Sequence, residues 1–573
     1  MGVRGLKTYV DSLPVGEGKV WEWFDLRDTK VVIDGCGLYY HLYISNGTNF
    51  IYGGQYDEVK EELQKFITKL KSNNVKPYVV FDGILKRDDI KFDTHRERRI
   101  VCVSKVESLC NGRKLRDGMV LPLLAQLTVV QVLREMKVPY AIADFEADCE
   151  IASLANALDA PVMADDADFC IFNINRGYIP FPEYDFITPD IRVRKFSRNA
   201  FINHLGINPS MLPLLASLIG NDYISKDMLK VFADKVPMPD VGGGRIPRIA
   251  KFLSEHNSVS EAIAAVKPFY PNEERSAFER ALLLSIEEYQ MKQSNLIDYF
   301  DSGDLSCSMR TYNGHLLPEW VIKLYRQGLI APEGLSCWCN REVFLPTQCE
   351  SISLPSAQRR AQDLRLKYYA LALHFQAEKL AGGEDIIVRE FCREEEKLVL
   401  KEKNLTHTVP DVQIQDIPEM SDQARKSFLL SILQCDQQFI HDLPIKHQLA
   451  ASALRYWFMH PEGQVNPEHL AALLVHYVGE NEETEAEFPL VPVDVVHRFA
   501  EWQNVLYWVE RLNALFFWPF EQLQVTRLYN GIHVCNVYKR LSSYSDVGPE
   551  TIVSDVELYH RLYHAITTPM GSN

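Results

Sequence analysis

The chain has 573 residues, 46% of them hydrophobic, enough for two to four domains of about 100–200 residues with buried cores. Its formal net charge of −16 excludes a generally basic nucleic-acid coat, so any polyanion must be held by local basic patches or by metal ions. Twelve scattered cysteines with no signal-peptide pattern suit reduced thiols, and no apolar run approaches the roughly 20 residues that span a bilayer, so no membrane partner is expected.

The first elements alternate strand and helix. A strand Lys30–Ile33 stops at Asp34, and a helical stretch near Gly37–Ile44 follows. Residues 56–73 carry Val59, Leu63, Phe66, Ile67 and Leu70 at helical spacing. The strand Pro77–Phe81 stops at Asp82. A charged stretch from Lys86 to Asp117 leads to a helix over 122–137, a strand over 138–143 and a helix from about Glu146 to Leu158. The strand Pro161–Ala164 then stops at Asp165-Asp166, with Asp168 two residues on. Such alternation predicts an α/β domain with a mostly parallel sheet covered on both faces. After Asp222 the pattern turns helical over 226–300, interrupted by Val241-Gly242-Gly243-Gly244. From 301 to 573 strand signals are few and helical ones many, as in 357–376, 446–458 and 495–517, with an acidic loop near 479–487. The domain expectation is therefore an α/β domain over 1–225, divided into an N-terminal region (1–100) and an internal region (120–225), then a helical extension 226–300 and a helical C-terminal domain 301–573.

Carboxylates gathered where parallel strands end occupy the ligand crevice of an open α/β sheet. They repel one another unless a hard cation such as Mg²⁺ joins them. Three further segments extend the set: Glu146-Ala147-Asp148 opening a helix just after a strand, Gly220-Asn221-Asp222-Tyr223 after the apolar helix 212–219, and the start Met1-Gly2-Val3-Arg4-Gly5-Leu6.

Together these segments resemble the flap-endonuclease and xeroderma-pigmentosum-G type nuclease superfamily, and in particular its Asteroid branch. The nuclease resemblance covers about the first 300 residues; the C-terminal half resembles that branch alone. It implies a PIN-like α/β fold and a set of seven acids holding two Mg²⁺ ions, with Mn²⁺ as a substitute. The matching positions here are Asp34, Asp82, Glu146, Asp148, Asp166, Asp168 and Asp222. The family's E-x-E is shortened by one methylene at Asp148. On an ideal helix Glu146 shares a face with Glu150 and not with Asp148, so Glu150 stands as the alternative ligand unless Glu146 lies outside the helix. The implied chemistry is in-line phosphodiester hydrolysis with two ions polarising the phosphate and lowering the pKa of a water, leaving a 5′-phosphate and using no protein nucleophile.

The stretch 86–117 holds ten Lys or Arg against six Asp or Glu. Lys86, Arg87, Lys91, Arg96, Arg98 and Arg99 are its candidate phosphate contacts. In the family this segment leads into an arch that passes a single strand, but the span from Asp82 to Glu146 is short for one. Arg192, Arg194, Lys195 and Arg198 form a second basic cluster, read equally well as a surface strand. Gly242–Arg248 resembles the family's duplex-gripping glycine turn, with Arg245 and Arg248 facing phosphate, although it lies further beyond Asp222 than the family pattern has it. Removal of Met1 would bring the Gly2 amine near the cleft and a phosphate. Gln293, Leu296, Tyr299 and Phe300 fit the sliding-clamp pattern Q-x-x-aliphatic-x-x-aromatic-aromatic, or else end a helix and pack inward. Cys337, Cys339 and Cys349 lack zinc spacing, and the aromatic run Trp502–Phe520 reads as helical core.

The expectation is a Mg²⁺-dependent, structure-specific DNA endonuclease of nuclear DNA repair, with single-stranded or junction DNA, possible repair proteins and the clamp as partners. A catalytically silent nuclease-fold scaffold and a PIN-like ribonuclease are the alternatives, since nothing in the sequence reads sugar identity.

Overall fold

The computed structural model describes residues 2–45, 52–86, 91–110, 120–181, 190–224, 226–237, 239, 242, 244–377, 385–408, 412–461, 463, 465–480, 491–543 and 548–569. The chain forms two compact units. The first comprises Met1–Ser45, Gln64–Thr94 and Leu133–Cys307, and the second Asn46–Leu63, His95–Val132 and Ser308–Asn573.

The first unit is built on a seven-stranded sheet. Its strands in chain order are β1 (Trp21–Asp25), β2 (Thr29–Asp34), β3 (Val75–Phe81), β4 (Tyr140–Ile142), β5 (Val162–Met163), β6 (Tyr178–Ile179) and β7 (Arg192–Phe196). Their spatial order is β1-β7-β6-β5-β2-β3-β4. β4, β3, β2, β5 and β6 run parallel, while β7 runs antiparallel to both its neighbours, β6 and the edge strand β1. The inner strands are runs of β-branched residues because both faces are covered: Val31, Val32 and Ile33 are fully buried, as are Val79 and Val80. The chain builds outward from β2 to β3 and β4, then returns to place β5 on the other side of β2. That reversal is a topological switch point, where a crevice opens beyond the strand carboxyl ends. The helix Leu212–Ile219 is apolar except at Ser217 and buried along its length except at Pro213. It forms part of the core that ends in Gly220 and delivers Asp222.

The second unit is mostly helical and is organised on Val493–Leu515, a 23-residue helix buried on nearly every face. Trp502, Trp508, Phe516 and Phe520 are all buried there, as a packing core and not as a stacking surface. Two of its buried polar residues are matched internally: Gln503 accepts from the Tyr56 hydroxyl at 2.5 Å, and Glu501 pairs with Arg360 at 2.8 Å. Cys337, Cys339 and Cys349 are buried and not joined in disulfides. Of the acidic loop, residues 481–487 lie outside the described residues. The sequence pattern missed a three-stranded sheet here, β8 (Glu342–Phe344), β9 (Ile387–Glu394) and β10 (Lys397–Asn404), in the order β10-β9-β8. β9 groups apolar and charged residues in pairs, β10 follows Leu398-Val399-Leu400 with charges, and the turn passes through Glu395 at φ 50, so neither a period-2 alternation nor the Asn-Gly signal of a hairpin is present.

Candidate metal centre

Four neighbouring parallel strands each deliver acids at their carboxyl ends. Asp34 closes β2 and caps the helix Gly35–Ser45, its Oδ1 accepting from the N–H groups of Cys36 and Gly37 at 3.0 Å each. Asp82 follows β3, and its Oδ1 accepts from the Ala147 N–H at 2.9 Å, which ties the β3 end to the segment after β4.

The helix after β4 begins at Asp148, with Ala147 as its cap, so Glu146 lies outside it. The helical-face objection therefore does not apply. Glu150 turns away and accepts from the Ser294 hydroxyl. Asp148, not Glu150, joins the cluster: carboxylate oxygens of Asp148, Asp166 and Asp168 all lie within 4.8 Å of one another. Glu146 pairs with Lys91.

Beyond β5, Asp166 caps a short 3₁₀ turn, Ala167–Cys170, by accepting from the Asp168 N–H at 3.0 Å. Asp168 is buried and accepts from the Tyr289 hydroxyl at 3.2 Å. The Tyr289 oxygen in turn accepts from Asn221 Nδ2 at 3.3 Å, and Asn221 also donates to Ser285 at 2.8 Å. Asp222 stands beside this chain, its carbonyl accepting from Thr94 at 3.3 Å. Gly2 lies against the same acids at φ +77, and a Cβ there would sit 2.0 Å from Asp166 Oδ1 and 2.9 Å from Asp168 Oδ1.

The electrostatics follow from this crowding. Burial, then the Asp82 charge, lifts Asp34 to about 7. Desolvation and Glu146 raise Asp82. Burial, with Asp166, Glu146 and Asp82 behind it, holds Asp148 well above the usual carboxylate range. Burial, then Asp166, lifts Asp168 to about 8, with Asp222 adding and Lys91 opposing. Burial acts to discharge Lys91, but Glu146, Tyr223 and Asp148 outweigh it and keep the ammonium charged, 4.6 Å above the Tyr223 ring. A donor set made wholly of carboxylate oxygens, held close and short of positive charge, fits Mg²⁺ or Mn²⁺ better than the softer metals.

The basic candidates are dispersed. Lys91 is 4% exposed and committed to Glu146, so it is part of the acid cluster and not a surface phosphate contact. Lys86 is exposed near the Phe145 ring. Arg87 lies outside the described residues. Arg96, Arg98 and Arg99 sit on the helix Phe92–Cys110, Arg96 exposed and the other two half-buried. Arg245 and Arg248 open the helix Arg245–Ser254 after Gly244, but donate to the carbonyls of Leu218 and Pro239 at 3.1 and 3.2 Å. The clamp-pattern segment is packed: Leu296 is fully buried and Phe300 meets Tyr78 edge-on at 5.4 Å. Gln293 lies just before Ser294, the cap of this helix, Asn295–Ser302, and Tyr299 packs against the core, so the segment is a seated helix and not a free tail. Lys91 and Tyr289 are the site residues whose roles the sequence hid, because their partners lie 55 and 121 residues away.

A mostly parallel sheet that brings acids together at its switch point is the arrangement of the PIN-like fold. The XPG N-terminal domain model matches residues 1–102, the XPG domain-containing model 120–232 and the Asteroid N-terminal domain model 480–571. The single-strand DNA endonuclease ASTE1 of Pongo abelii is 30% identical over 99% of this chain and 90% of its own length. Protein asteroid of Drosophila melanogaster is 27% identical over 52% of this chain and 42% of its own. Among solved structures, the catalytic core of Rad2 in complex with DNA substrate aligns at a TM-score of 0.34 and 16% identity, over 51% of this chain and 88% of that one. The chain belongs to the XPG family of nucleases, in its Asteroid branch.

Proposed function

We propose that this chain is a divalent-metal-dependent endonuclease that hydrolyses phosphodiesters in single-stranded or junction DNA, and that it serves nuclear DNA repair. The observation that carries the reading is the approach of Asp148, Asp166 and Asp168 to within 4.8 Å in a site where burial and mutual repulsion leave the carboxylates in need of cations. The kinship with relatives named single-strand DNA endonucleases supports the substrate class.

Asp148, Asp166 and Asp168 would hold one ion, and Asp34, Asp82, Glu146 and Asp222 would complete the set for two. When bound, two such ions supply Lewis-acid polarisation of the phosphate and a lowered pKa for the attacking water. The chain's own contribution is orientation and charge. Backbone N–H groups fix one oxygen each of Asp34, Asp82 and Asp166, and Tyr289 fixes one of Asp168, which leaves the other oxygen of each available to a cation. Lys91 keeps a positive charge beside the acids, which lessens their repulsion of an incoming phosphate.

Labelled single-stranded, flap, overhang and RNA substrates incubated with the protein in Mg²⁺ test the reading. Cutting of single-stranded or junction DNA is expected. Cutting of RNA alone would make it a ribonuclease, and cutting of nothing would make it a scaffold.

A further inference from the structure

The edge of the sheet carries an arrangement that the metal centre does not use. β1 pairs β7 with Trp21 opposite Phe196, Trp23 opposite Arg194 and Asp25 opposite Arg192. Directly opposed residues of an antiparallel pair share a face, so Trp21, Trp23, Arg194 and Arg192 line one side of the ribbon. They interleave: the Arg194 guanidinium lies 5.0 Å from the Trp21 ring, and that of Arg192 lies 5.3 Å from the Trp23 ring. Trp21 is buried, with its indole N–H donated to the Val10 carbonyl at 2.8 Å. Trp23 is 56% exposed, and it is the one exposed tryptophan among the eight. An indole left in water forgoes a large burial gain, and an outward guanidinium beside it is weakly hydrated and suited to phosphate.

The ladder is also joined to the metal centre. Asp165, the neighbour of Asp166, is 3.7 Å from Lys7, which is 3.4 Å from Asp11. Asp11 is 3.7 Å from Arg194. Three successive ion pairs thus lead from Asp165, beside the acids, to Arg194 of the stacked pairs.

We propose that this ribbon is a second binding site, a stacking platform for the single-stranded part of the DNA substrate. A base lies on the free side of Trp23, and Arg192 and Arg194 turn to backbone phosphates. The inference rests on the nuclease reading above. Its chemistry is the general one for single strands, an aromatic face for a base beside cations for the backbone.

The test uses the full chain in Ca²⁺ with an oligothymidylate of about 15 nucleotides. Titration is expected to quench the exposed tryptophan fluorescence of the wild type and not that of Trp23→Phe. By fluorescence anisotropy Trp23→Ala is expected to bind about tenfold more weakly, with Trp23→Phe in between. Arg192→Gln is expected to lower the salt dependence by about one phosphate contact. All three variants alter half-buried or exposed side chains and are expected to melt with the wild type. Unchanged affinity in Trp23→Ala together with unchanged salt dependence in Arg192→Gln would overturn the proposal and leave the ladder as a shield on an edge strand. Cleavage in Mg²⁺, scored separately, distinguishes that outcome from failure of the nuclease reading.

Discussion

Replacing Asp168 with Asn removes one charge from the cluster while keeping an oxygen that can accept from Tyr289. In the native protein Asp168 titrates at about 8, against an ordinary value of 3.8. Between those values the native state holds a proton that the unfolded state has released. Its stability therefore falls as pH rises through that window, and the full penalty applies above about pH 8. At pH 7 the penalty is on the order of 4 kcal/mol, and at pH 5 under about 2 kcal/mol. A Coulomb estimate is of the same order. Two carboxylate charges at 4.8 Å repel by roughly 3.5 kcal/mol at an effective dielectric of about 20. In EDTA, Asp168→Asn is thus expected to melt above the wild type, by roughly 5–10 °C at pH 8 and much less at pH 5. Adding Mg²⁺ at pH 8 should raise the wild type strongly and the variant weakly, because only the intact set gains from binding. Thermal melts at both pH values, with and without metal, are sufficient. A variant less stable than wild type in EDTA at pH 8, or an equal Mg²⁺ shift in both proteins, would refute the reasoning.

Four other outcomes follow from the same contacts. Tyr289→Phe should fold and bind Ca²⁺ about tenfold more weakly by calorimetry, since Asp168 loses its orienting donor. Gly2→Ala should also weaken Ca²⁺ binding, because its methyl group meets Asp166 Oδ1 and the backbone sits at φ +77; binding equal to wild type would count against the placement of Gly2. Glu150→Gln should leave cleavage unchanged while Asp148→Asn abolishes it, since Glu150 serves Ser294 and not the cluster. In the second unit, Glu350→Gln should cost about 3–5 kcal/mol by urea unfolding, because it strands the buried guanidinium of Arg393, which Glu350 meets at 2.8 Å.

The residues at the strand ends were legible because β2, β3 and β5 are apolar runs that stop at acids, and that alone located Asp34, Asp82, Asp166 and Asp168 on one edge. The sequence left the helix start after β4 open by two residues, and those two residues decide between Asp148 and Glu150. Cap geometry favours Asp148, since only the fold shows that Ala147 is the cap. The clamp pattern was legible as a string, but Leu296 and Phe300 are held by packing against residues distant in sequence, such as Tyr78. Periodicity cannot tell an inward face from a docking face. The hairpin of β9 and β10 escaped because its apolar and charged residues come in short blocks without period-2 alternation and its turn uses Glu395. Tyr289 carried no local signal and Lys91 only its place in a basic stretch, since each matters through a partner that the fold supplies.

The central claim is that these acids hold metal for phosphodiester hydrolysis, and one comparison tests it most directly. Purified wild type and an Asp166→Ala/Asp168→Ala variant are incubated with end-labelled single-stranded DNA in Mg²⁺ and in EDTA. Cleavage by the wild type in Mg²⁺ alone, abolished in EDTA and in the variant, is the predicted result. Cleavage that persists in EDTA or in the variant would contradict the claim.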